Sequence, residues 1–325
     1  MCTVKIYRDS VIDRFSREHP AAAFCESGDT VMFETRDCYD DNDITEENPL
    51  GSKKDGMENP ATGPLFVRGA EEGDILRVEI QDIRLRDYGI MRTSPSCGAF
   101  CHLYEQRSAR RFSFTRKEET GKEGFWFDRD LWLDCDPMIG VIGTAPEGED
   151  CLTVTPGKHG GNMDCTRIRK GAVLYLPVHV EGALLALGDL HARMGDGEVM
   201  ICGLETAGEV WVRVDVLKKE GGFAGGKEGK NLWPCFFQAL PLLVEGELVC
   251  SIQSAPTLDE AAALAARRME AFLAAAAGMD DVKAGMLMSL LADLAVCQIV
   301  DPWKTVRCEL PLTVLETYGV ELPVL

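Results

Sequence analysis

The order of signals along the sequence predicts an α+β fold that is mostly β: a sandwich- or barrel-like core followed by a C-terminal helical hairpin. Apolar and charged residues alternate through Ile75-Leu76-Arg77-Val78-Glu79-Ile80, and Val210, Val212, Val214 and Val216 share one face, the period of half-buried strands. Helix signals are confined to the region beyond residue 256. There Thr257-Leu258-Asp259-Glu260 has the form of a capping box, an alanine-rich run follows, and Gly278 is placed as a C-cap. The expected division is a β-rich core over residues 1–255, and a hairpin with an extended tail over 256–325.

Ser27-Gly28-Asp29 is a turn that feeds a strand over Thr30–Thr35. An acidic loop follows, with Asp37, Asp40, Asp41 and Asp43. Such charge density reads as a solvated surface. Asp37 differs because it lies close enough to the strand end to reach inward. Residues 59–64 form a turn cluster of Asn, Pro and Gly. Residues 107–116 are basic and 117–123 mix signs, so both read as exposed. The apolar stretch at 137–143 carries two glycines, which points to close backbone approach. Residues 155–164 contain Gly160-Gly161 beside His159, Asn162 and Asp164, a turn or a loop whose N–H groups face a ligand. Residues 171–178 read as a strand, and 218–231 as a flexible glycine- and lysine-rich loop. A second helix begins near Asp280, with Leu287, Leu290, Leu291 and Leu294 as its apolar seam. The tail, with Pro302, Pro311 and Pro323, reads as extended chain.

Composition narrows the function. The chain has 325 residues and a formal net charge of −19, which argues against nucleic acid or an anionic membrane as a partner, since both require clustered cations. No apolar stretch approaches the ~20 residues of a membrane span. Thirteen cysteines, an odd number with no CxxC pair, read as reduced thiols of a cytoplasmic protein.

The stretch at 182–205 concentrates the chemistry. Ala183-Leu184-Leu185-Ala186-Leu187 carries the chain inward, and Asp189, His191, Asp196, Glu198 and Glu205 follow. Asp189 and His191 lie two apart, so on a regular strand they share a face. Carboxylates and an imidazole at the end of a buried strand must be paired or hold a metal, because isolated buried charge is costly. A strand running into a polar hairpin is the plain alternative.

Several separated blocks carry a family resemblance. TGPLFVRGAEEGDILRVEI, PMIGVIGTAP, HGGNMD, GAVLYLPVHVEGALLALGDLHARMGDGE and a late QIVDP occur in this order. Together they make the chain similar to the acetamidase/formamidase family. The resemblance implies a cytoplasmic enzyme with a β-rich fold that hydrolyses small aliphatic amides to carboxylate and ammonia. It further implies a divalent metal, zinc first; calcium as a second or structural ion is a separate expectation, outside the resemblance. Residues 100–123 and 218–231 depart from the family's pattern.

Amide hydrolysis needs a nucleophile, a stabiliser for the developing oxyanion and a proton for the leaving nitrogen, and a metal supplies the first two. Of five histidines, His19 is in a polar stretch, His102 stands beside a cysteine, and His179 in an apolar strand reads as a core residue. His159 and His191 remain. The expected ligands are Asp164, Asp189 and His191, with Asp37, Glu205 and His159 as further ligands or supports to them. Glu198 is the expected general base, and Gly160, Gly161 and Asn162 are the expected donors to the substrate carbonyl. Asp196 is expected to bond its own turn. The helical pair is expected to form an oligomer contact or a cap on the core. Two other readings are a metal-free amidase using Cys165 or Cys202, and a binding protein with calcium in the Asp37–Asp43 loop.

Overall fold

The structure, a computed structural model, describes residues 3–53, 56–225 and 229–323. Residues 226–228 of the expected 218–231 loop therefore lie outside the described residues. Two nine-stranded sheets dominate. The first runs in the order Thr3–Ile6, Thr30–Thr35, Gly208–Leu217, Ile75–Leu85, Val173–Pro177, Leu242–Glu245, Leu248–Ala255, Lys304–Pro311 and Asp293–Gln298. Its pairings are antiparallel apart from the parallel first pair. The second runs Gly160–Asn162, Met138–Gly143, Leu185–His191, Glu205–Thr206, Tyr88–Arg92 and Ala109–Ser113. Ala61–Val67 also pairs with Leu185–His191 and carries two short N-terminal strands.

One apolar core fills the space between the sheets. Val31, Phe33, Ile80, Leu174, Val210, Val212 and Val214 of the first sheet meet Leu65, Ile139, Ile142, Leu185, Leu187 and Leu190 of the second. The valine alternation at 210–214 is thus the inner face of a sandwich strand. Helices α1 (Trp233–Ala239) and α2 (Leu258–Ala277) cover part of the outer face of the first sheet. There Phe236, Met269 and Phe272 pack against Tyr175, Val249, Val306 and Leu310. Thr257 and Glu260 form the capping box, and Gly278 takes the left-handed C-cap. No helix among the described residues is long and apolar enough to cross a membrane.

Several expectations change. The 59–64 cluster is a turn only at its start, for a strand runs from Ala61 to Val67. Helix α3 (Asp281–Leu291) stops short of Leu294, which belongs to an edge strand, and Leu290 and Leu294 are exposed rather than forming a seam. The tail is a central strand, Lys304–Pro311, followed by the short helix α4 (Leu312–Thr317). The basic stretch at 107–116 includes a strand whose Phe112 is buried with Phe114, Phe125 and Leu204. His179 is half-buried beyond the end of its strand.

Candidate functional site

The strand Leu185–His191 is buried along its whole length. Leu185 and Leu187 face the intersheet core, and the period of two would send residue 189 there as well. Asp189 instead adopts a left-handed backbone, φ 53°, and the register resets. Leu190 takes the core position, while Asp189 and His191 turn to the other side. They do share a side, through a kink that simple alternation does not contain. The antiparallel register sets His191 directly opposite Glu205. Asp164 and Glu198, φ 45° and 46°, are left-handed too. Each such residue costs on the order of 1–2 kcal/mol, and clusters of them mark functional sites.

The result is one cluster of buried acids around one imidazole. His191 Nε2 lies 3.2 Å from Glu205 Oε1, 3.5 Å from Asp189 Oδ1 and 3.8 Å from Asp164 Oδ1. Asp164, His191 and Glu198 present ligand atoms within 4.8 Å of one another, and so do Cys38, Asp189 and Glu205. Two glycines leave room for them. A Cβ on Gly140 would stand 2.5 Å from Asp164 Oδ1 and 2.6 Å from Asp189 Oδ2, and one on Gly203 would stand 2.7 Å from the His191 ring.

Both oxygens of Asp164, Asp189 Oδ1, Glu198 Oε2, Glu205 Oε2, Asp301 Oδ2 and both ring nitrogens of His191 are buried without a hydrogen-bond partner. Electrostatics follow. Burial, then the Asp189 charge, raises Asp164 to about 7. Burial raises Glu205 to about 8, with Asp189 adding to the rise and His191 opposing it. Burial and Asp164 push Glu198 well up. Burial lowers His191, but Glu205 and Asp189 outweigh it and hold the imidazole well above its ordinary range.

The cluster opens on a cleft of about 300 Å³ lined by Asn59, Asn162, Asp189, Glu198, Glu205 and Asp301 among others. Three residues enter the site without having been expected there. Asn59 donates from Nδ2 to Asp189 Oδ2 at 3.1 Å. Cys38 follows the Thr30–Thr35 strand, and its buried thiol is pushed up by desolvation and by Glu205 and Asp189. Asp301 sits in a loop held by buried Gln298, whose Oε1 accepts from the Val300 and Asp301 N–H groups. Each was visible only as a polar turn or a buried thiol; QIVDP, which contains Asp301, was the one usable signal.

Other expected residues lie elsewhere. Asp37 is buried, but its carboxylate is taken by Arg86 and by the N–H groups of Tyr39 and Asp41, and it joins neither group of ligand atoms. His159 packs edge-on against Phe15 at 5.0 Å, outside both groups, and burial lowers it to about 4. Asn162 lines the cleft and Gly161 does not. Asp196 bonds Thr166 and Arg307 rather than its own turn, because the strand Lys304–Pro311 places Arg307 beside it. The acidic loop is occupied by partners of its own: Asp40 pairs with Arg36 and Lys53, Asp41 with Arg8, and Asp43 accepts from Ser52. Neither thiol suits a nucleophile. Burial drives Cys202 to about 12, and Cys165 is fully buried and does not line the cleft.

The Acetamidase/Formamidase family model matches residues 4–150 and 147–317. The chain belongs to that family. It is 27% identical to an acetamidase of Mycolicibacterium smegmatis over 282 residues, covering 66% of this chain and 68% of that one. It spans 64% of a Schizosaccharomyces pombe relative, at 28% identity over 269 residues. The crystal structure of an acetamidase from Bacillus halodurans superposes with a TM-score of 0.87 at 42% identity, covering 98% of this chain and 100% of that chain. An acetamidase from Yersinia enterocolitica gives a TM-score of 0.80 at 26% identity, covering 97% of this chain and 93% of that chain. A gamma lactamase from Delftia acidovorans shares the fold, with a TM-score of 0.61 at 19% identity over 98% of this chain and 92% of that chain.

Proposed function

We propose that this acetamidase/formamidase family member hydrolyses short linear amides to carboxylate and ammonia with the help of a divalent metal. The observation that carries the reading is the unpartnered cluster of Asp164, Asp189, His191, Glu198 and Glu205 at the floor of the cleft. So many converging buried acids repel one another unless a cation joins them or some of them stay protonated. Asp164, Asp189 and His191, with Glu205, would hold the ion, and a mixed imidazole and carboxylate set suits zinc. Bound there, the metal would supply a Lewis acid and lower the pKa of a water.

The chain's own residues do the rest. Glu198, whose buried carboxyl has an unpartnered oxygen at the cleft, can take a proton from the attacking water and pass it to the leaving nitrogen. Asn162 Oδ1, buried and unpartnered in the cleft wall, can accept from the amide N–H of the substrate. Asn59 fixes the orientation of Asp189. A cleft of about 300 Å³ suits a short acyl group. Formamide, acetamide, propionamide and urea, assayed for ammonia with zinc or manganese added, test the reading. Release from at least one is expected, and silence from all four sinks it.

Two further points belong to this reading. The twelve described cysteines are all free, which suits a reducing, cytoplasmic compartment. Val282, Met286 and Leu290 recur at four-residue spacing on α3, exposed beside the edge strand that carries Leu294. An uncharged stripe and an open edge on a chain of net charge −19 suit contact with a second copy. A strict monomer in sedimentation would remove that point.

A further inference from the structure

The cleft carries charge that a neutral amide does not need. Residues 84–116 hold seven arginines against two acids, in a chain where acids outnumber bases 53 to 34. Two of those arginines line the cleft, Arg92 and Arg107. The Arg92 guanidinium stacks on Tyr39, 4.4 Å from the ring centroid. Stacking uses the flat face of the group and leaves its edge of N–H donors free. Neither Arg92 nor Arg107 has a carboxylate within ion-pair distance among the described residues. The exposed Glu58 at the same cleft pairs with neither. Thr93, Ser94 and Ser96 add hydroxyls to the same wall. The floor of the cleft is thus acidic and suited to a cation, while one wall offers free guanidinium edges and hydroxyls.

We propose that the preferred substrate is an amide that also bears a carboxylate, the monoamide of a short dicarboxylic acid, with Arg92 and Arg107 as its specificity-determining residues. This rests on the amide-hydrolase reading above. The amide end meets the acid cluster and the carboxylate meets the arginines. Water adds to the amide carbon, the C–N bond breaks, and the products are a dicarboxylate and ammonium, so no further reactant is required. A guanidinium recognises a planar carboxylate through paired N–H donors. The local excess of arginine also offsets the repulsion an anion meets on approaching a negative molecule.

The experiment compares kcat/KM for succinamate with that for 4-methylpentanamide, a neutral amide of nearly the same shape, with acetamide alongside. One hydrogen-bonded charge pair corresponds to a preference of roughly 10- to 100-fold for succinamate. Arg92→Gln and Arg107→Gln should each move the ratio of the two toward one, and Arg92→Lys should restore part of it. Added salt should lower the ratio in the wild type. A purely structural Arg92, needed only to stack on Tyr39, would reduce both amides alike and leave the ratio unmoved, which would overturn the assignment. A wild-type ratio of one or less, with acetamide still hydrolysed, overturns the substrate class and leaves the amide-hydrolase reading standing. Failure on every amide sinks both.

Discussion

Asp196 and Glu198 stand two residues apart in one turn, yet they meet opposite surroundings. Asp196 receives both terminal nitrogens of Arg307, at 2.7 and 2.6 Å, and the hydroxyl of Thr166. The network continues from Arg307 through Glu309 to Arg167 and Glu245. Burial opposes ionisation of Asp196, but these partners outweigh it and lower its pKa. Glu198 faces Asp164 and His191, keeps an unpartnered oxygen, and has its pKa raised. Asp196 itself is exposed and Arg307 is buried, and a buried guanidinium partnered in this way reads as architecture. A group of like charges left unpartnered suits a cation, which is the proposed reading of the cluster.

The contrast is broken most severely on the unpartnered side. His191→Ala should take bound metal and ammonia release to background together while the chain stays folded, a greater loss than any acid–base substitution. Full metal occupancy in that variant, by elemental analysis, would remove His191 from the site. Glu198→Gln should keep fold and metal but cut kcat by the ~10²–10⁴-fold typical of a proton-transfer group. Metal lost with the substitution would make Glu198 a ligand, and near-normal turnover would return it to the turn.

On the partnered side the expected loss is stability. Arg307→Met removes the shared cation, although Glu309 keeps Arg167 and the exposed Asp196 keeps Thr166, so the expected cost is about 2 kcal/mol. Urea unfolding measures this, and a change under ~1 kcal/mol would mean that the network is not structural. His159 gives a pH-dependent version. Its folded pKa of about 4 lies below the ordinary histidine value, so its contribution is complete above pH ~6.5 and is lost as pH falls toward 4. The loss amounts to about 3 kcal/mol, and His159→Gln should flatten that part of the pH profile. An unchanged slope in the variant would show that His159 is not held neutral by burial.

The sequence made the β-rich architecture legible because residues 76–80 and 210–216 keep a period of two against one apolar core, and the capping box marked α2. It brought Asp164, Asp189, His191, Glu198 and Glu205 forward because they crowd the end of an apolar strand and a glycine turn. Asn59, Cys38 and Asp301 stayed hidden for a common reason: each sits in a loop whose placement depends on strands distant in sequence. Gln298 positions Asp301, and nothing local to QIVDP reveals that it does. Asp37 misled because closeness to a strand end does not reveal Arg86, forty-nine residues away, as its partner. Leu294 misled because helical spacing continued past Leu291, where α3 ends, and Leu290 because it lies on the exposed side of that helix.

The central claim is that the unpartnered acids at the floor of the cleft hold a divalent cation. Metal content of the purified chain, measured with ammonia release before and after chelation, tests it most directly. The account predicts about one equivalent of zinc or a similar ion per chain, activity lost on chelation, and recovery when the ion returns. Metal-free protein releasing ammonia at the full rate would contradict it.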